Sequence, residues 1–118
     1  MQTNGYETVF IAEDEAALVG YILVLGNPYK KKLHAVELVL GVLEEYRGHG
    51  IGKKLIAAAE SWAKGHNIHR IELTVNPRNS IALELYKKLG FEIEGLKRHT
   101  TLTNGEFQDD YVMAKLMY

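Results

Sequence analysis

The chain has 118 residues, long enough for one domain with one hydrophobic core and too short for two. A hydrophobic share of 47% and a charged share of 25% are those of an ordinary soluble globule, and a net charge of −1 with both signs interleaved argues against nucleic acid as a partner. No apolar run is long enough for a membrane helix and no secretory leader is expected; without cysteine there is no disulfide, thiol nucleophile or cysteine-ligated zinc, and a cytoplasmic location is the expectation.

Thr8 to Ala12 and Leu18 to Leu25 are rich in β-branched and aliphatic residues and read as two strands, with the polar segment Glu13 to Glu15 as the hairpin turn. Gly26-Asn27-Pro28 signals the next turn, and Lys30-Lys31-Lys32 its solvated continuation. A third strand runs from His34 to Leu43. Arg47-Gly48-His49-Gly50-Ile51-Gly52 follows and opens a helix that places Ile51, Leu55, Ala58, Ala59 and Trp62 on one face. Gly65 and Asn67 stop that helix at about Lys64, and His69 to Val75 is a fourth strand, parallel to the third through this crossover. Asn76-Pro77-Arg78-Asn79 breaks the strand, and Asn79 or Ser80 caps a second helix with Ile81, Leu85 and Leu89 as its core stripe. Gly90 ends it. Phe91-Glu92-Ile93 begins a strand, Asn104-Gly105 is a hairpin turn, and Tyr111 to Ala114 lie in the last strand. The expected order is β-β-β-α-β-α-β-β in a mixed, mainly antiparallel α+β fold.

Strand, glycine-rich turn and helix start make an anion site. The first amides of a helix have no internal partner, the helix dipole adds positive potential, and glycines let a phosphate approach the backbone. A pyrophosphate-bearing ligand is therefore expected at this turn. The spacing is not a Walker A loop, because Lys54 stands where Ser or Thr would follow Gly52-Lys53. Nor is it the dinucleotide fingerprint: Gly48, Gly50 and Gly52 are spaced G-x-G-x-G, and the acidic Glu72 lies near the start of its strand, where the ribose carboxylate belongs near the end.

Arg47-x-x-Gly50-x-Gly52 resembles the coenzyme A pyrophosphate loop of the GCN5-related N-acetyltransferases. About thirty residues later, Asn79-Ser80-Ile81-Ala82-Leu83-Glu84-Leu85-Tyr86-Lys87-Lys88-Leu89-Gly90-Phe91 is similar to that family's second signature, and Gly41 to Arg47 looks like its lead-in strand end. The resemblance covers roughly residues 8 to 117. It implies the acyl-CoA N-acyltransferase fold without its usual first strand and first helices. It further implies acetyl transfer from acetyl-CoA, as the acetyl-donor substrate, to a primary amine of a small molecule or peptide. The Lys97-Arg98 to Leu116 ending looks like that of bacterial members and disfavours a histone-type enzyme.

The resemblance assigns Arg47, Gly48, His49, Gly50, Ile51, Gly52 and Lys53 to the pyrophosphate, and the backbone of Leu40, Gly41 and Val42 to the pantetheine arm, which can dock as an added strand. Val42 is the expected oxyanion donor, and Gly41 permits a close approach or a bulge. Tyr86 matches the general acid, or else packs beside Leu85. Asn79 matches a cofactor contact and can also be the helix cap. Glu37 is the candidate base, unless strand alternation simply turns it to solvent; His34 and Glu72 are weaker candidates. His34, His49, His66, His69 and His99 are scattered, and no metal is expected.

An active transferase and a non-catalytic or partner-dependent acetyl-CoA-binding module both stay open. A nucleotide-binding domain of another fold would be marked by ATP or NAD binding without coenzyme A binding. With no strand beyond Thr8 to Ala12, an edge is expected to stay exposed, so a homodimer or heteromeric partner is expected there, unless Met1 to Glu7 covers it.

Overall fold

In a computed structural model, residues 7–26, 29 and 32–117 are described. The elements are β1 (Glu7–Asp14), β2 (Ala17–Gly26), β3 (Ala35–Val42), a 3₁₀ turn (Glu44–Tyr46), α1 (Ile51–Gly65), β4 (Arg70–Val75), α2 (Ser80–Lys88), β5 (Glu92–Thr103) and β6 (Glu106–Leu116). The element order is the expected one, and the hydrogen-bonded strand order is β1-β2-β3-β4-β6-β5. The turn at Asn27-Pro28, the continuation at Lys30-Lys31 and the edge cover expected from Met1 to Tyr6 lie outside the described residues. The chain divides into two compact units, Met1–Ile71 with Leu116–Tyr118, and Glu72–Lys115.

In the first unit β1, β2 and β3 form an antiparallel meander. The ladder β1·β2 runs from Glu7↔Leu25 to Asp14↔Ala17, and β2·β3 from Gly20↔Val42 to Gly26↔Val36. The hairpin turn falls later than expected. Glu13 and Asp14 close β1, and the turn is Glu15-Ala16, with φ of 49° and 68°. Both central residues thus adopt the left-handed conformation of a type I′ turn without a glycine, so no glycine marks the turn in the sequence. The ladder register shifts between Ala12 and Glu13, with Val19 of β2 as the extra residue.

Strand alternation gives this meander two faces. Ile22, Val24, Val36 and Leu38 lie on the face against which α1 packs and are buried. α1 buries Leu55, Ile56, Ala59 and Ala63 there. The expected stripe is corrected by one step around the helix: Ile51, Ala58 and Trp62 are half-buried, while Ile56 and Ala63 are in the core. Gly20 sets the seating of the helix. A Cβ at Gly20 would stand 3.2 Å from Ile51 Cγ2 and 3.3 Å from Leu55 Cδ1, a tight contact that these two side chains of α1 would have to give way to. At its C-terminus Asn67 N–H bonds Lys64 C=O and Ile68 N–H bonds Ala63 C=O, the paired bonds of a Schellman stop, with Asn67 in the left-handed position.

The opposite face of the meander is apolar and open. Val9, Ile11, Tyr21, Leu25 and Val39 share it by register, and Ile11 and Val9 are 54% and 50% exposed. Glu37 lies on this face too, in register with Leu25.

In the second unit α2 is capped at both ends. Asn79 Oδ1 accepts from Ala82 N–H, and Gly90 N–H and Phe91 N–H donate to Lys87 and Tyr86 carbonyls. Lys115 Nζ donates to the Leu89 carbonyl at 2.8 Å. The expected stripe needs correction here as well. Tyr86 is the buried residue, Leu85 and Leu89 are half-buried, and Ile81 is 85% exposed. An i, i+4, i+8 series drifts by about 40° per step around a helix of 3.6 residues per turn, which carries Ile81 off the face centred on Tyr86. β5 and β6 pair from Glu92↔Ala114 to Thr103↔Glu106 around Asn104-Gly105, with φ of 52° and 78°, the type I′ hairpin that this dipeptide predicts. Both strands are longer than the sequence indicated, and β5 is exposed along its length.

Candidate functional site

β3, the 3₁₀ turn and the start of α1 carry the glycine turn, all within the first unit. Gly48 and Gly50 have φ of 81° and 79°, and a Cβ built on either would meet no atom within 4 Å. Packing therefore does not exclude side chains here. The left-handed backbone disfavours them, at about 1–2 kcal/mol for an L-residue, and the space above both glycines stays open to a ligand. Gly50 is the N-cap of α1, and no side chain caps the helix. Its first intrahelical bond is Lys54 N–H to Gly50 C=O, so the amides of Ile51, Gly52 and Lys53 precede the ladder and point out of the helix end. An open cradle over an uncapped helix start fits a pyrophosphate. Lys53 and Arg47 are exposed beside it.

Side chains of the turn hold its backbone. Arg47 Nε donates to the Val42 carbonyl at 3.3 Å. His49 Nδ1 lies 3.1 Å from both the Tyr46 and Arg47 carbonyls, and carbonyls only accept, so this ring nitrogen carries the proton. The Tyr46 hydroxyl donates to Asp14 Oδ2 at 2.8 Å, and that carboxylate, through the hydrogen bond and its charge, raises the Tyr46 pKa.

The end of β3 has its peptide groups arranged by the β2 ladder. Leu43 N–H bonds the Val19 carbonyl at 2.9 Å. Pairs alternate in an antiparallel ladder, so Gly41–Tyr21 is again hydrogen-bonded, whereas Val42–Gly20 and Leu40–Ile22 are not. The N–H and C=O of Leu40 and Val42 are thus directed away from β2, and the Val42 carbonyl is the one that accepts from Arg47 Nε. Gly41 is explained by a close approach: a Cβ would stand 2.4 Å from Tyr21 Cε2, and the β2·β3 ladder continues through it without a shift.

The second unit holds Asn79 and Tyr86. Asn79 is the cap of α2, with its Oδ1 committed to Ala82 N–H at 3.2 Å. Tyr86 is 7% exposed, its ring centroid 6.1 Å from that of Phe91 in a tilted contact. Burial raises its pKa, so the phenol keeps its proton through the neutral range. Among the described residues no buried side-chain oxygen or nitrogen lacks a partner.

Glu37 stands exposed on the open face of β3. The His34 carbonyl accepts from His69 and Arg70 N–H, and the two histidine rings lie 6.5 Å apart. Glu72 is half-buried on β4 in the second unit. His66 stacks on Trp62 at 4.1 Å and bonds the Trp62 carbonyl, completing the helix end. His99 stacks on Phe107. No cluster of metal-ligating side chains occurs among the described residues. Sequence reasoning missed Asp14, Tyr21 and Tyr46. Only Tyr46, an aromatic just before Arg47, carried any local signal.

Comparison with known proteins fits this geometry. The model of the acetyltransferase (GNAT) family matches residues 2–91, across both motifs. The chain is 31% identical over 103 residues to the L-amino acid N-acetyltransferase AaaT of Escherichia coli, covering 84% of this chain and 62% of that protein. It is 37% identical over 121 residues to an N-alpha-acetyltransferase of Sulfurisphaera tokodaii, covering 92% of this chain and 70% of the relative. A GNAT-family acetyltransferase of Streptococcus pneumoniae superposes with a TM-score of 0.87 at 31% identity, over 93% of this chain and 67% of the other. The chain thus spans about two thirds of the length of these three proteins, and by its two motifs, its element order and these matches it belongs to the GNAT acetyltransferase family.

Proposed function

We propose that this chain carries the acetyl-CoA-dependent N-acetyltransferase activity of its family, with the α-amine of an amino acid or peptide as acceptor. The observation that carries the proposal is the left-handed, side-chain-free entry into α1, which presents uncapped helix amides to open space. The acceptor class rests on the names of the two relatives.

Acetyl-CoA supplies an activated thioester carbonyl; the chain supplies positions and protons. The amides of Ile51 to Lys53, with Arg47 and Lys53, hold the pyrophosphate. The outward peptide groups of Leu40 pair with the pantetheine amides, and Val42 N–H stabilises charge on the carbonyl oxygen. Tyr86, a protonated phenol at neutral pH, is assigned as the acid that donates to the leaving sulfur. Glu37 is assigned as the base that takes the proton of the attacking amine, directly or through water; its solvent-facing position on β3 leaves it open to an acceptor.

Release of coenzyme A on mixing acetyl-CoA with a panel of amino acids, polyamines, aminoglycosides and peptides tests the activity. Turnover with at least one α-amine is expected. Tight acetyl-CoA binding with no turnover across the panel would make the chain a binding module instead. Gly50→Leu, a bulky replacement, should weaken acetyl-CoA binding in calorimetry, because the side chain would fill the open space through which the phosphate approaches; unchanged affinity would move the pyrophosphate elsewhere. Tyr86→Phe should lower kcat by roughly 10²-fold or more with the acetyl-CoA KM little changed, and Glu37→Gln should lower the rate or shift the pH–rate profile upward. A wild-type rate would leave Tyr86 as a packing residue, and an unaltered profile would leave the base to water.

We further propose a homodimer. β1 is terminal in the strand order, and Val9, Ile11, Tyr21, Leu25 and Val39 form an exposed apolar face beside it. Light scattering at micromolar concentration should give twice the chain mass, reduced toward the monomer by Ile11→Lys; a wild-type monomer would refute this.

A further inference from the structure

The hydrogen bond from Tyr46 to Asp14 joins two segments 32 residues apart, and neither residue packs into the core. Its setting is specific. Asp14 is the last residue of β1, immediately before the left-handed pair Glu15-Ala16 and next to the register shift at Ala12/Glu13, where Val19 of β2 is the extra residue. A bulge in one strand raises the local twist of the pair, and two non-glycine residues at positive φ are a strained way to turn a hairpin. Both irregularities fall next to Asp14. On the other side, Tyr46 closes the 3₁₀ turn. Its N–H bonds the Leu43 carbonyl, its carbonyl accepts from His49 Nδ1, and Arg47 follows it directly.

We infer that Asp14 and Tyr46 form a brace that holds the glycine turn in its ligand-ready conformation before acetyl-CoA arrives. The inference rests on the pyrophosphate reading of that turn. Two left-handed glycines make Gly48 to Gly50 costly to order, because glycine loses more conformational freedom than any other residue. The turn is therefore held at its flanks: by α1 on the C-terminal side, and on the N-terminal side by Arg47 to Val42, His49 to Tyr46 and Tyr46 to Asp14. Of these three contacts only the last reaches beyond the segment from β3 to α1, to the β1–β2 hairpin. Tyr46 and Asp14 are positioning residues. They touch neither the ligand nor the reacting atoms, and act by raising the fraction of the free protein whose turn is competent to bind; the apparent Kd scales inversely with that fraction.

The test uses Tyr46→Phe, Asp14→Ala and the double variant of the full chain. Amide hydrogen exchange in the ligand-free protein should speed up at Gly48 to Lys53 in each variant, with the exchange of Ile22, Val24 and Ile56 unchanged. Calorimetry should show acetyl-CoA Kd raised about three- to tenfold in each single variant, the double no worse than the worse single, while kcat at saturating acetyl-CoA stays at the wild-type value. Unchanged exchange at Gly48 to Lys53, or additive losses of affinity, would overturn the brace. Failure of the wild-type protein to bind acetyl-CoA would instead overturn the pyrophosphate reading, and the exchange data would still decide the brace.

Discussion

The site depends on one backbone constraint: the chain enters α1 through glycines in the left-handed conformation. That entry points the first helix amides outward and keeps side chains away from them. Other features serve the same placement. Gly20 lets Ile51 and Leu55 pack closely on β2 at the start of the helix. The β2·β3 register then directs the peptide groups of Leu40 and Val42 away from β2. Helix seating, ladder phase and left-handed turn together present main-chain groups at the end of β3 and main-chain donors at the start of α1. A phosphate-bearing ligand with an amide-containing arm is the chemistry that such an arrangement matches.

Charge plays the secondary part. Arg47 and Lys53 stand beside the turn, and Glu44 and Glu45 sit one step before it. With so little excess of positive charge in the surrounding sequence, affinity depends on oriented dipoles and hydrogen bonds more than on a long-range field. The catalytic assignments use burial in opposite ways. Tyr86 is buried and keeps its proton, as a donor needs; Glu37 is exposed, as a base that must meet an incoming amine needs.

Much of this was legible in the sequence because the signals are local. Asn79 as a cap, Gly90 and Asn67 as helix stops, Asn104-Gly105 as a hairpin and the glycine turn itself each rest on a residue type that one backbone conformation favours. The misses share a different cause. Glu15-Ala16 turns the chain without the residues that normally announce a turn. The α2 stripe drifted because a nine-residue helix offers too few turns to fix a face, so Tyr86 took the buried position and Ile81 the exposed one. Tyr21 against Gly41, and Tyr46 with Asp14, are meetings set by strand register and by a bulge, which no local pattern encodes. Of the two explanations offered for Gly41, the close approach was found on the β2 side, by a side chain of the protein itself.

The most direct measurement is a nuclear magnetic resonance titration that compares coenzyme A with pantetheine, which lacks the pyrophosphate. If main-chain donors at the start of α1 hold the pyrophosphate, coenzyme A will shift the amide resonances of Gly48 to Lys53 strongly and pantetheine will leave them in place. Binding of coenzyme A with those amides undisturbed would contradict the account.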